Sequence, residues 1–154
     1  MALGACVTRQ PGDASPPPVT APVAHLAPDW LLLAEEDSAE LVYGVRDSDD
    51  VRLAVECRGG QDPVLGVTLL APTGSPGEIV LRSGGKTQRY AAHSEADELS
   101  DGVILITRLA RKTDPVFKAF RETGWLTVVW SGGTDDLIPQ HNSTAVADFF
   151  RWCG

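Results

Sequence analysis

A chain of 154 residues with a net charge of −8 at pH 7 is long enough for one domain with a sizeable hydrophobic core. Nucleic acid is disfavoured as a partner, because neutralising phosphates requires a basic stripe and the 13 Lys and Arg residues form none. The sequence contains no run of 18 apolar residues, which argues against a transmembrane helix.

The first part of the chain, residues 1–28, is rich in proline and small residues and has little hydrophobic periodicity. Such a segment buries too little apolar surface to offset the entropy lost on ordering. We therefore predict a disordered, partly polyproline tether over 1–28 and a single β-rich domain over 29–154.

The domain begins with short apolar or alternating runs that end at turn residues. Strands are predicted at 30–34, 41–45, 51–58 and 64–71, and a helical turn is an alternative for the first. Two further runs, 78–82 and 87–92, flank a glycine pair that favours a hairpin. An acidic loop at 94–101 then precedes 102–109, which is apolar on both faces and predicts a central strand.

Helical signals appear only late in the chain. Asp114 is a candidate N-cap, Pro115 fits the first helical turn and Gly124 fits the end of that helix. Residues 125–130 return to a β pattern, and a terminal helix is predicted over 143–154, capped by Asn142 or Ser143. The predicted fold is mainly β (α+β): an antiparallel sandwich or barrel of about eight strands with two short helices near the C-terminus.

Two cysteines lie on faces that must be buried. Cys57 ends a strand whose alternate residues are apolar, and Cys153 continues the helical face formed by Val146, Phe149 and Phe150. We predict that the two thiols form a disulfide, worth about 4–5 kcal/mol in the chain-entropy model. Such a bond persists only in an oxidising compartment, which agrees with export.

Common catalytic and metal-binding patterns are poorly matched, and we predict neither a cofactor nor a metal. The acidic turn Asp47–Asp50 has no calcium-loop spacing, and His25, His93 and His141 are isolated, without zinc-site spacing. A triad of Ser131, His141 and Asp136 stays open as the basis of a small periplasmic hydrolase. The four tryptophans are expected in the core rather than on a binding platform.

The segment Leu3-Gly4-Ala5-Cys6 resembles the lipobox of bacterial lipoproteins, which implies a lipidated Cys6 and peripheral anchoring to a membrane. Together with the predicted disulfide, this resemblance predicts a periplasmic or outer-membrane location. An export signal needs a longer apolar segment than the five residues before Cys6, and an unmodified thiol is the alternative.

The turn Ser83-Gly84-Gly85-Lys86 resembles part of the Ser-Gly-x-Lys/Arg-Tyr loop of membrane-bound inhibitors of c-type lysozyme, which are small lipid-anchored β-barrels. In that family the loop enters the lysozyme cleft, and its Ser and Lys/Arg contact catalytic carboxylates. Here Thr87 replaces the family's Tyr, and Tyr90 follows three positions later. The predicted binding residues are Arg82, Ser83, Gly84, Gly85, Lys86, Arg89 and Tyr90.

Residues 40–154 are also similar to uncharacterised exported proteins of Gram-negative bacteria. The similarity rests on Cys57, the Ser83-Gly84 hairpin, the helix at 114–124 and the terminus at 149–154. The similarity brings no known activity. Our interpretation of the whole sequence is a non-enzymatic, disulfide-bonded domain, lipid-anchored or periplasmic, that binds an envelope protein or a peptidoglycan-associated partner. Inhibition of a lysozyme-like hydrolase through the 82–90 hairpin is the alternative.

Overall fold

The computed structural model describes residues 27–59, 62–139 and 144–154, and these residues form ten strands and two helices. The strands are β1 (Asp29–Ala34), β2 (Ser38–Gly44), β3 (Val51–Arg58), β4 (Val64–Pro72), β5 (Glu78–Ser83), β6 (Lys86–Ala91), β7 (His93–Ala96), β8 (Gly102–Arg111), β9 (Leu126–Trp130) and β10 (Gly133–Leu137). The helices are α1 (Pro115–Thr123) and α2 (Ala145–Trp152).

The strands form two antiparallel sheets. The larger has the order β1-β2-β3-β4-β8-β7 and the smaller has the order β10-β9-β5-β6. The mainly β, sandwich-like fold predicted from the sequence is therefore confirmed, and the barrel alternative is wrong because neither sheet closes on itself.

The core is formed by buried side chains of both sheets and both helices. Leu53 and Val55 of β3 are fully buried there, and Leu53 is paired with Leu69 of β4. The Phe120 ring of α1 lies 5.0 Å from the Trp30 ring of β1. The indole of Trp30 also donates to the Leu137 carbonyl at 3.2 Å, which ties the end of β10 to the larger sheet.

The terminal helix is attached to this core by the predicted disulfide. Cys57 at the end of β3 is bonded to Cys153, which follows α2, and each is 2% exposed. Phe149 and Phe150 are buried on the same helical face, as the apolar spacing predicts. Helix α2 begins at Ala145, and the predicted caps at 142 and 143 lie outside the described residues.

Helix α1 has the predicted ends, but its N-terminal carboxylate has another role. Asp114 precedes Pro115 in an extended conformation, and Gly124 ends the helix with φ 73°. The Asp114 side chain makes no capping hydrogen bond. It accepts instead from the Tyr90 hydroxyl at 2.7 Å and from the Arg111 backbone N–H at 2.9 Å. Asp114 therefore connects α1 to β6 and β8.

Two strands were not predicted. β7 is an edge strand whose four residues are all exposed, so it has no buried face to give an apolar alternation. β10 contains two aspartates, which are poor strand formers, but its pairing with β9 places Leu137 opposite Leu126 in the core. Tertiary pairing therefore determines both elements, and the described residues hold ten strands rather than about eight.

The tryptophan prediction holds in part. Trp30 is 1% exposed, whereas Trp125, Trp130 and Trp152 are only partly buried. Trp130 at the end of β9 and Trp152 at the end of α2 pack against the core from one side, whereas Trp125 lies between α1 and β9.

Candidate binding surfaces

The first candidate surface is the β5–β6 hairpin that the sequence singled out. Ser83 pairs with Lys86, so the connection is the two-residue turn Gly84–Gly85, with φ of 51° and 74°. Positive φ at both central positions is typical of a type I′ turn. A Cβ at Gly84 would lie 2.9 Å from the Ala119 Cβ of α1, whereas the same atom at Gly85 would meet nothing within 4 Å. One side of the turn thus packs on α1 and the other faces solvent.

Two of the predicted binding residues anchor the hairpin from inside. Ser83 is 0% exposed, and its hydroxyl donates to the Trp125 carbonyl at 2.8 Å and lies 2.9 Å from the Thr123 hydroxyl. Tyr90 is 4% exposed and donates to Asp114. Burial, the hydrogen bond to that carboxylate and its negative charge raise the Tyr90 pKa. In this conformation neither hydroxyl is exposed to a partner.

The three basic residues of the hairpin are exposed, but the strand register divides them. Arg82 and Arg89 lie on the outer face of the four-stranded sheet, whereas Lys86 shares the opposite face with Ser83. Arg82 donates to the Thr87 hydroxyl at 3.1 Å, and Arg89 forms an ion pair with Glu78. The hairpin therefore presents Lys86 at its tip and Arg82 on its side, together with the turn glycines.

The other candidates from the sequence are scattered. His93 is exposed, 3.3 Å from Glu95, and Asp47–Asp50 form the exposed β2–β3 turn. Among the described residues, no group of three His, Cys, Asp or Glu side chains is placed to hold a metal ion. Cys6, His25 and His141 lie outside the described residues, so the lipidation site and the open triad have no structural account here.

The second candidate surface, which the sequence did not reveal, is a groove on the outer face of the six-stranded sheet. Its floor contains Arg52, Thr68, Leu70 and Ile104 from β3, β4 and β8. One wall is the turn at 49–51 and the other is the loop at 97–100. We call this surface the outer groove. Its volume is about 560 Å³, within the range of ligand-binding clefts.

The floor of the outer groove follows from the strand register. Leu70 is paired with Ile104 across β4 and β8, so both side chains point away from the core. This explains why the β8 sequence is apolar on both faces: Leu105 is buried in the core, and Ile104 lies half-buried in the groove. The apolar run over 102–109 therefore indicates both an interior strand and an apolar surface on the outer face of the sheet, beside the edge strand β7.

The 97–100 wall is held by local hydrogen bonds. Asp97 accepts from the backbone N–H of Leu99 at 3.1 Å and from the Ser100 hydroxyl, and Ser100 in turn accepts from the backbone N–H of Gly102 at 3.2 Å. The Ser100 and Leu99 donors lower the Asp97 pKa, so this carboxylate is ionised at neutral pH. The loop presents the Leu99 side chain at 89% exposure.

A further depression lies along β1 and β2, with a volume of about 590 Å³. Glu40 lines it and is paired across the strands with Glu56. Burial raises the Glu40 pKa, and the negative charges of Glu56 and Glu35 add to that effect. Glu56 is itself neutralised in part by Arg108, 2.9 Å away.

Comparisons with known proteins add no family to this description. No family model, curated protein or solved structure matches this chain.

No helix in the described ranges has the length and apolar character needed to cross a membrane.

Proposed function

We propose that this protein is an exported, disulfide-stabilised domain that binds another component of the cell envelope without catalysing a reaction. The Cys57–Cys153 disulfide is the observation that carries the proposal. Both cysteines are buried, and the bond joins an early strand to the end of the chain. A structural disulfide of this kind is expected in a protein that folds outside the reducing cytosol.

Anchoring through Cys6 is part of the same proposal. The lipobox-like Leu3-Gly4-Ala5-Cys6 places a candidate acyl acceptor ahead of the proline-rich segment that leads to β1. A lipid on Cys6 holds the domain at a periplasmic or outer-membrane surface. Stable attachment needs two lipid chains, or one chain and a second membrane-binding feature. The partner is then an envelope protein or a peptidoglycan-associated component within reach.

The hairpin supplies the proposed contact with that partner. Arg82 and Lys86 are exposed basic side chains on the two faces of the hairpin beside its turn, so this end of the hairpin is basic on a protein of net charge −8. An acidic partner surface would meet attraction at this tip and repulsion from most of the remaining surface. This charge pattern is therefore expected to orient the partner so that its acidic surface meets the hairpin tip.

Inhibition of a lysozyme-like hydrolase is the second candidate, and the exposed Lys86 is the observation that favours it. The buried Ser83 counts against it, because the resemblance requires a serine that contacts the target's carboxylates. In an assay of c-type lysozyme on cell walls, inhibition that Lys86→Glu abolishes would support this candidate.

The test of the main proposal is capture of partners by the full-length protein in its own envelope. A double Arg82→Glu, Lys86→Glu variant is compared with Lys118→Glu, which reverses an exposed charge on α1. We expect the double variant to lose specific partners that Lys118→Glu retains, and Cys6→Ser to lose labelling by an alkyne fatty acid. Equal recovery by all variants, or no label on Cys6, would contradict the proposal.

A further inference from the structure

We propose that the outer groove is a docking site for a segment of a partner protein that carries both basic and apolar side chains. The inference is independent of the hairpin, which lies on the other sheet. It also does not depend on export, because it rests only on the shape, apolarity and charge of the groove.

The first observation is the apolar character of a sheet face that is open to solvent. Antiparallel sheets with one free face commonly carry polar side chains there. Here Leu70 and Ile104 form an apolar pair on the floor, Val51 is 40% exposed in one wall and Leu99 is 89% exposed in the other. Isolated exposed apolar residues need no explanation, but two exposed and two half-buried apolar side chains around one groove are typical of an interaction surface.

The second observation is that hydrogen bonds fix the backbone of the loop that carries the exposed Leu99. The side chain of Asp97 and the hydroxyl of Ser100 accept hydrogen bonds from the backbone of their own loop. The Thr73 hydroxyl also donates to the Asp101 carbonyl, which attaches the loop to the end of β4. A loop that is already ordered loses little entropy on binding, so Leu99 is available as a preformed contact.

The third observation is the negative charge of the outer groove, which determines what kind of segment can bind there. Asp49, Asp50 and Asp97 line the groove, and Arg52, 3.9 Å from Asp50, is the one cation among the described residues that line it. Three carboxylates and one guanidinium leave a net charge of −2 in the groove. An anionic lipid surface is repelled by this charge, whereas Lys or Arg beside apolar residues matches both the walls and the floor.

The strand register indicates how such a segment would lie. Leu70, Ile104 and Glu95 form one row across β4, β8 and β7, which adds a carboxylate at the edge of the sheet. Arg52 of β3 lines the same floor. An extended segment along this row turns alternate side chains toward the apolar floor and the others away from it, toward the carboxylates at the rim. Alternation of apolar and basic residues is therefore the pattern expected of the partner.

The experiment is an NMR titration of the ¹⁵N-labelled full chain with a peptide of alternating lysine and leucine. A peptide with glutamate in place of lysine is the charge control. We expect amide shifts concentrated at Leu70, Leu99 and Ile104 with the first peptide and none with the second. Shifts dispersed over the molecule, equal binding of both peptides, or self-association through the groove without peptide would overturn the proposal.

Variants separate docking from folding. Leu99→Ser removes an exposed side chain without affecting its backbone hydrogen bond, and we expect it to weaken binding about fivefold or more. Leu109→Ser is the matched control, because Leu109 is 63% exposed on β8 and lies outside the groove. Unchanged affinity for Leu99→Ser, or equal losses for both variants, would contradict docking at this site.

Discussion

Removing the disulfide tests how this small domain is stabilised. Cys57 and Cys153 are separated by 96 positions, so the bond closes a loop of about 97 residues. The chain-entropy relation then gives about 4.7 kcal/mol of stabilisation at 25 °C. Because domains of this size have about 5–15 kcal/mol in total, the protein without the bond should be close to its stability limit. The perturbation is the double variant Cys57→Ala, Cys153→Ala.

The assay is equilibrium unfolding in urea, followed by far-UV circular dichroism and by tryptophan fluorescence. With a slope of roughly 2 kcal/mol per molar urea, a loss of about 4.7 kcal/mol lowers the midpoint by about 2 M. Cys6→Ala is the matched control and should leave the midpoint unchanged, since Cys6 is not part of this bond. A double variant within about 1 kcal/mol of the native protein would refute the loop-closure reasoning.

Three further predictions concern single residues. Tyr90→Phe should lower the free energy of unfolding in urea by about 1.5–3 kcal/mol, because the Tyr90 hydroxyl donates to a carboxylate. The native protein should also lose stability above about pH 10, where the phenol ionises in the unfolded chain while its raised pKa keeps it neutral in the folded protein. Tyr90→Phe should reduce this loss. Gly84→Ala should lower the thermal midpoint more than Gly85→Ala, because both have positive φ but only Gly84 packs on α1; equal effects would contradict the packing. Glu40→Gln should raise the thermal midpoint at pH 7, because burial and the facing Glu56 raise the Glu40 pKa and make its ionised form unfavourable in the folded protein. The gain should vanish at a pH low enough to protonate Glu40 in both states, and no gain at pH 7 would contradict this reasoning.

The sequence predicted the elements whose faces differ in polarity. The alternation over 51–58 coincides with β3, and the helical spacing that ends at Cys153 places that thiol on the buried face. Because both faces could be assigned from local patterns, the disulfide between distant positions was also predictable. Strands β7 and β10 were missed because their pairing depends on neighbours rather than on their own composition.

The candidate surfaces were harder to predict, because they depend on which residues the fold brings together. The hairpin turn follows from its glycines, yet the burial of Ser83 depends on Thr123 at the C-terminal end of α1 and on Trp125 just after it. The outer groove joins the turn at 49–51 to the loop at 97–100 through the order of the strands. Neither segment contains a motif that would indicate the other.

The redox state of Cys57 and Cys153 in the living cell tests the central claim most directly. Alkylation of free thiols at the moment of lysis, followed by fractionation and mass spectrometry, reports both the bond and the compartment. The proposal predicts that the protein is recovered from the envelope or periplasmic fraction with these two cysteines unlabelled and linked. Recovery from the cytosol with both thiols alkylated would contradict it.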